Sequence, residues 1–165
     1  MLRPVAILTL IAFMSLAALE GDTRPRFAYT RAAAAGLDVE VAWKESGIWR
    51  EGMVHNVITA EASATYVCLE GEQARVADRE NIYDSLSAEG DFASTKLGVA
   101  SGSLTLKPPG PGMFSCPPGQ RLRLVCAKYT RLTCRDDTYA ISSDLRGTFV
   151  SFEPGYSQFC DLDLR

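Results

Sequence analysis

The residues best suited to chemistry in this chain are five cysteines, one histidine, a group of acids and a cluster of arginines. Cys68, Cys116, Cys126, Cys134 and Cys160 can pair as disulfides in an oxidising compartment. An odd count leaves one thiol over, either free or bonded to another chain. Zinc is the weaker reading: no Cys-x-x-Cys pair occurs, His55 lies far from the cysteines, and no metal site is expected. His55 is the one imidazole, so it is the only base for a Ser-His-Asp or Cys-His site. Its setting, Met53-Val54-His55-Asn56-Val57, reads as an ordinary strand, and no Gly-x-Ser-x-Gly elbow accompanies it. Glu70, Glu72, Asp78, Glu80 and Asp84 supply carboxylates of the kind that hydrolyse glycosides in pairs. Calcium is a further option there or at Asp161-Leu162-Asp163, but the spacing is not that of an EF-hand. No catalytic residue and no cofactor is expected.

The arginines support a sharper expectation. Arg121, Arg123, Tyr129, Arg131 and Arg135 are all odd-numbered within neighbouring strands. If those strands run without a bulge, the five side chains share the face opposite Leu122, Leu124, Leu132 and Cys134. Such a face would bind carboxylate, sulfate or phosphate groups bidentately, as on an anionic protein or glycan. The plainer reading is a solvated face with cross-strand charge pairs. The net charge of −3 gives no general attraction to nucleic acid or to an anionic membrane, and neither is expected as a partner.

The elements that must position these groups are mostly strands. Residues 1–17 read as a signal peptide: Arg3, then an apolar run through Met14, then Ser15-Leu16-Ala17-Ala18 with small residues for cleavage. The run is shorter than the roughly 20 residues that span a bilayer. Residues 18–36 read as a flexible N-terminal arm, whose alanines could make one helical turn. Residues 37–165 read as a single domain with a real core. Leu37, Val39, Val41 and Trp43 alternate with Asp38, Glu40 and Ala42, and Leu122, Leu124 and Cys126 with Arg121, Arg123 and Val125. Residues 48–58, 62–69, 130–134, 148–152 and 159–162 read as further strands. The polar stretch 70–88 reads as the longest loop. The prolines of Lys107-Pro108-Pro109-Gly110-Pro111-Gly112 and Pro117-Pro118-Gly119 break the chain twice. Short strands, Gly/Pro turns and no amphipathic helix predict an all-β, antiparallel β-sandwich, with a small β-barrel as the alternative. Its expected core includes Val41, Trp43, Tyr66, Cys68, Leu104, Leu106, Cys116, Leu122, Leu124, Leu132 and Phe149.

Thr65-Tyr66-Val67-Cys68, Gly90-Asp91-Phe92, Ser103 to Gly110, and Phe114-Ser115-Cys116-Pro117-Pro118-Gly119-Gln120 together resemble a group of small secreted proteins of filamentous fungi and actinomycetes. The similarity runs from about Met53 to Phe152. It implies an immunoglobulin-like β-sandwich with a central Cys68–Cys116 disulfide, and it implies no biochemical activity. Closing a loop of that size contributes roughly 4 kcal/mol. The chain departs from the group in its acidic Leu69-Glu70-Gly71-Glu72-Gln73 and in its three further cysteines. A second bridge is expected from Cys126, Cys134 and Cys160. The function these readings predict is that of a secreted, non-enzymatic binding protein, such as a microbial effector acting on a host or competitor. It would be a monomer, or a dimer bonded through the odd cysteine. The alternatives are a small secreted hydrolase using loop carboxylates and a structural envelope or matrix component.

Overall fold

The computed structural model describes residues 24–71 and 75–160. The signal peptide, Glu72 and the Asp161–Asp163 pair lie outside the described residues. Eight strands follow in order: β1 (Arg26–Ala35), β2 (Asp38–Ser46), β3 (Met53–Glu70), β4 (Arg75–Ala93), β5 (Val99–Leu106), β6 (Gln120–Asp136), β7 (Ile141–Leu145) and β8 (Phe149–Phe152). They form two antiparallel sheets, a smaller one in the order β1-β2-β5 and a larger one in the order β4-β3-β6-β7, with β8 also on β6. The result is the expected β-sandwich and not a closed barrel.

Strand β2 shows why the sheets face each other. Its alternation puts Val39, Val41 and Trp43 wholly inside, against Ile58, Ala60 and Ala62 of β3 and Ala127, Tyr129 and Leu132 of β6. The Trp43 ring meets Phe92 edge-on, with centroids 4.8 Å apart. Gly102 lies opposite Trp43 on β5. A Cβ there would come within 2.4 Å of the Phe92 ring, so glycine is what allows Phe92 to lie beneath it.

Three expectations are corrected. The flexible arm is in fact strand β1 from Arg26 onward: Ala32–Ala35 pair with Val41 to Asp38, and sheet pairing overrides the helical preference of alanine. The long loop is in fact the 19-residue strand β4. As an edge strand exposed along much of its length, β4 needs no apolar face and therefore shows no period-two hydrophobicity. At the start of the expected final strand 159–162, Ser157–Phe159 form a short 3-10 turn, and residues 161–162 lie outside the described residues.

The larger sheet outruns the smaller one. Strands β3 and β6 have 18 and 17 residues, while β2 and β5 have 9 and 8. Beyond the smaller sheet, irregular chain covers both faces of the larger one. On the inner face, the Pro-rich segment lies over Tyr66, whose hydroxyl donates to the Pro109 carbonyl at 2.8 Å, and Cys68 bonds Cys116 as expected. On the outer face, Tyr156 and Phe159 pack on Val67, Leu69 and Val125, and Cys126 bonds Cys160. Cys134 is the odd cysteine. It is wholly buried between the sheets, and burial pushes its thiol up to about 12. It is enclosed by the core rather than presented for a bond to another copy. Among the expected core residues, Leu122 is 40 % exposed, and Leu104, Cys116, Leu124 and Phe149 are half-buried.

Candidate functional site

The arginine face forms only in part. Strand β6 carries two single-residue bulges relative to β3, one at Val125 and one beside Arg131, whose φ is +51°. Each shifts the alternation by one. Odd-numbered residues therefore point outward before the first bulge and after the second, and even-numbered ones between them. Arg121, Arg123 and Arg135 lie on the outer face of the larger sheet, and Arg131 is exposed beside them. Tyr129 falls between the bulges and points inward. It is buried, and its hydroxyl donates to the Leu37 carbonyl at 2.8 Å. Three of the four arginines have acidic partners: Arg123 with Glu153, Arg131 with Glu61 at 2.6 Å, and Arg135 with Asp137. The Arg123 guanidinium also lies 5.4 Å over the Tyr156 ring. The outer face is thus a surface of local charge pairs.

His55 points outward from β3. Its Nδ1 lies 2.9 Å from Asp91, and Nε2 lies 3.8 Å from Glu89. The hydrogen bond to Asp91 holds its imidazole above the ordinary value. Its ring thus sits between two exposed carboxylates. Asp78, Glu80 and Asp84 take same-face positions along the exposed edge strand β4, which lines them up rather than setting two of them across a cleft.

A different feature forms at the end of the sandwich where β2 leads into β3 and β6 into β7. Residues 47–52 and 137–140 make the two lips of an open cleft of about 510 Å³. Trp49, 65 % exposed, meets Tyr139 edge-on with centroids 5.0 Å apart. Met53, 58 % exposed, lines the same cleft, with Arg50 and Glu51 as its charged residues.

Each lip is anchored from below. Ile48, next to Trp49, is buried with Val54 and Ala100. Its amide donates to the Gly98 carbonyl at 3.2 Å. A Cβ on Gly98, where φ is +71°, would lie 2.5 Å from the Ile48 oxygen, so the approach requires glycine. The Gly52 amide donates to the Ser94 hydroxyl at 2.9 Å. On the other lip, Asp136 Oδ1 accepts from the amides of Thr138 at 2.7 Å and Tyr139 at 3.4 Å, an Asx-type turn. The His55 amide donates to Thr138 Oγ1 at 2.8 Å, tying this lip to β3.

Beneath the cleft lies a buried polar group. Glu45, Asn56 and Asp136 are 0 % exposed. Asn56 Nδ2 donates to Glu45 Oε1 at 2.5 Å. The Glu45 and Asp136 carboxyls are neighbours in this group. Burial first, and then the neighbouring Asp136, raise Glu45 to about 7.

Sequence reasoning missed both the cleft and this group, although the signal for the second is present. Glu45 continues the inward phase of Val39, Val41 and Trp43; Asn56 follows Val54 by two, and Asp136 follows Cys134 by two. A polar residue on the inward phase of three separate strands marks a buried network. The chain matches no known protein-family model and no curated protein.

Proposed function

We propose that this protein is a secreted, non-enzymatic binding module that recognises a protein partner through the Trp49–Tyr139 cleft, as an effector exported by a microbe toward a host or competitor would. The observation that carries this reading is an exposed tryptophan paired with a tyrosine and flanked by Met53 and Arg50, held on two anchored lips. Aromatic residues, Met and Arg are the side chains enriched at protein interfaces, and Trp, Tyr and Arg dominate their binding energy. Anchoring lowers the ordering cost of association. The two disulfides suit an oxidising compartment, and the apolar N-terminus supports export.

The reading moves recognition away from the arginines, because three of them already satisfy local acids. An affinity-capture comparison tests it. The mature protein, Trp49→Ala and the double variant Arg121→Ser/Arg123→Ser are presented to extracts that contain the partner. Trp49→Ala should lose capture at least tenfold with an unchanged melting temperature, and the arginine variant should keep it. Loss in the arginine variant alone would return the site to an anionic partner on the outer sheet face.

A further inference from the structure

We propose that the Glu45–Asp136 carboxyl pair is a proton-operated latch on the cleft, closed while the two groups share a proton and open once that proton leaves. The proposal rests on the cleft being the recognition site and concerns its regulation.

The geometry places the pair at the root of both lips. Glu45 comes one residue before the end of β2 and leads into the segment that carries Trp49. Asp136 ends β6, and its Oδ1 holds the amides of Thr138 and Tyr139. One oxygen of each carboxyl is committed: Glu45 Oε1 to Asn56 and Asp136 Oδ1 to the turn. Glu45 Oε2, Asp136 Oδ2 and the neighbouring Asn56 Oδ1 are buried with no hydrogen-bond partner. Ionised carboxylates only accept hydrogen bonds, so the two carboxyl groups can bond each other only through a proton. With it, a hydrogen bond joins the smaller sheet to the larger one. Without it, two like charges occupy one dry site, and either water enters or the strands part.

The surroundings leave the pair to set its own charge. Phe27 of β1 and Ala100 of β5 lie opposite Glu45, and Ile141 of β7 lies opposite Asp136. Phe92 of β4 packs on Trp43. From β6, Cys134 stays a neutral thiol, and from β3, Asn56 donates its amide. The charged side chains His55 and Asp91 take outward positions on β3 and β4. Burial raises Glu45 most, the Asn56 amide lowers it, and the Asp136 carboxyl raises it again. Burial places the loss of the Glu45 proton at about 7, so the latch works across neutral pH, closed on the acid side.

The test follows the backbone amides of Thr138 and Tyr139 and the indole N–H of Trp49 by NMR from pH 5 to 9, with no partner present. The proteins are the parent, Glu45→Gln and His55→Gln. His55, whose imidazole is held above its ordinary value by Asp91, touches the same lip, so its variant separates the two groups. In the parent and in His55→Gln, the three signals should move together with one midpoint near 7; in Glu45→Gln they should not move. Movement that survives in Glu45→Gln, or disappears in His55→Gln, overturns the proposal. Should Glu45→Gln fail to fold, the carboxyl carbon of Glu45 in the parent decides. It must titrate with the cleft signals, and titration at the ordinary glutamate value overturns the latch. Because no partner is used, loss of the latch and loss of the cleft as a binding site are separate results.

Discussion

At one end of the larger sheet, Ile58, Ala60, Leu132 and Cys134 lie under a second sheet. At the other end, Val67, Leu69 and Val125 on one face and Tyr66 on the other lie under irregular chain tied by Cys126–Cys160 and Cys68–Cys116. The covered end has enough buried apolar area to enclose Glu45, Asn56 and Asp136, which cost free energy there. Among the described residues of the strapped end, no carboxylate or amide side chain is wholly buried, and covalent links hold its cover in place. The end that burial holds can therefore carry a polar device under an open cleft, whereas the end that disulfides hold uses its cross-links to keep thin covering segments in place.

The largest test of this contrast is to remove a strap. Cys68→Ala/Cys116→Ala should lower stability by about 4 kcal/mol, the loop-closure value for a separation of 48 residues, measured by urea unfolding. Reduction of both bridges should raise amide exchange at Val67, Leu69 and Leu124 well before Ile58 and Leu132. Uniform loss of protection would mean that the two ends form one cooperative unit.

Next in size is the pH dependence of the covered end. Glu45 has a folded value near 7 against 4.5 unfolded, so the folded state holds the extra proton. Stability should fall as pH rises from about 4.5 to 7 and then level, by roughly 3 kcal/mol. Glu45→Gln should flatten that slope. The raised imidazole of His55 acts in the same direction but in a higher window, above its ordinary 6.5, and its exposure makes its share small. Gly102→Ala should cost about 1–3 kcal/mol by driving a methyl group into Phe92, with the strapped end untouched. At the small end, Arg131→Ala and Arg135→Ala should each leave the urea midpoint nearly unmoved, because their ion pairs are exposed. A lowered midpoint at either would make the outer face part of the fold.

The parts of the molecule visible in the sequence are those with a strong period. β2 shows its inward face plainly, and the Pro-rich breaks fall between β5 and β6. Strand β1 was hidden because four alanines state no preference that pairing cannot override, and β4 because an exposed edge has no apolar face to display. The arginine cluster was legible as a group of charges, but its facing depended on two bulges. A bulge depends on local backbone conformation, such as the positive φ at Arg131, and arginine does not advertise that. The cleft was invisible because Trp49 and Tyr139 are 90 positions apart and meet only through the sandwich.

The bulges carry a consequence for how such a chain can change over generations. A strand read with strict alternation cannot drop one residue without turning everything beyond it inside out. Val125 and Arg131 are surplus to the pairing with β3, so they are the two points in β6 where a codon can be lost while every other side chain keeps its face. Val125 is buried and would leave a hole, whereas Arg131 is exposed and holds an unfavourable backbone angle. Length variants among descendants of this protein should therefore collect at Arg131, with the inside and outside of the larger sheet preserved.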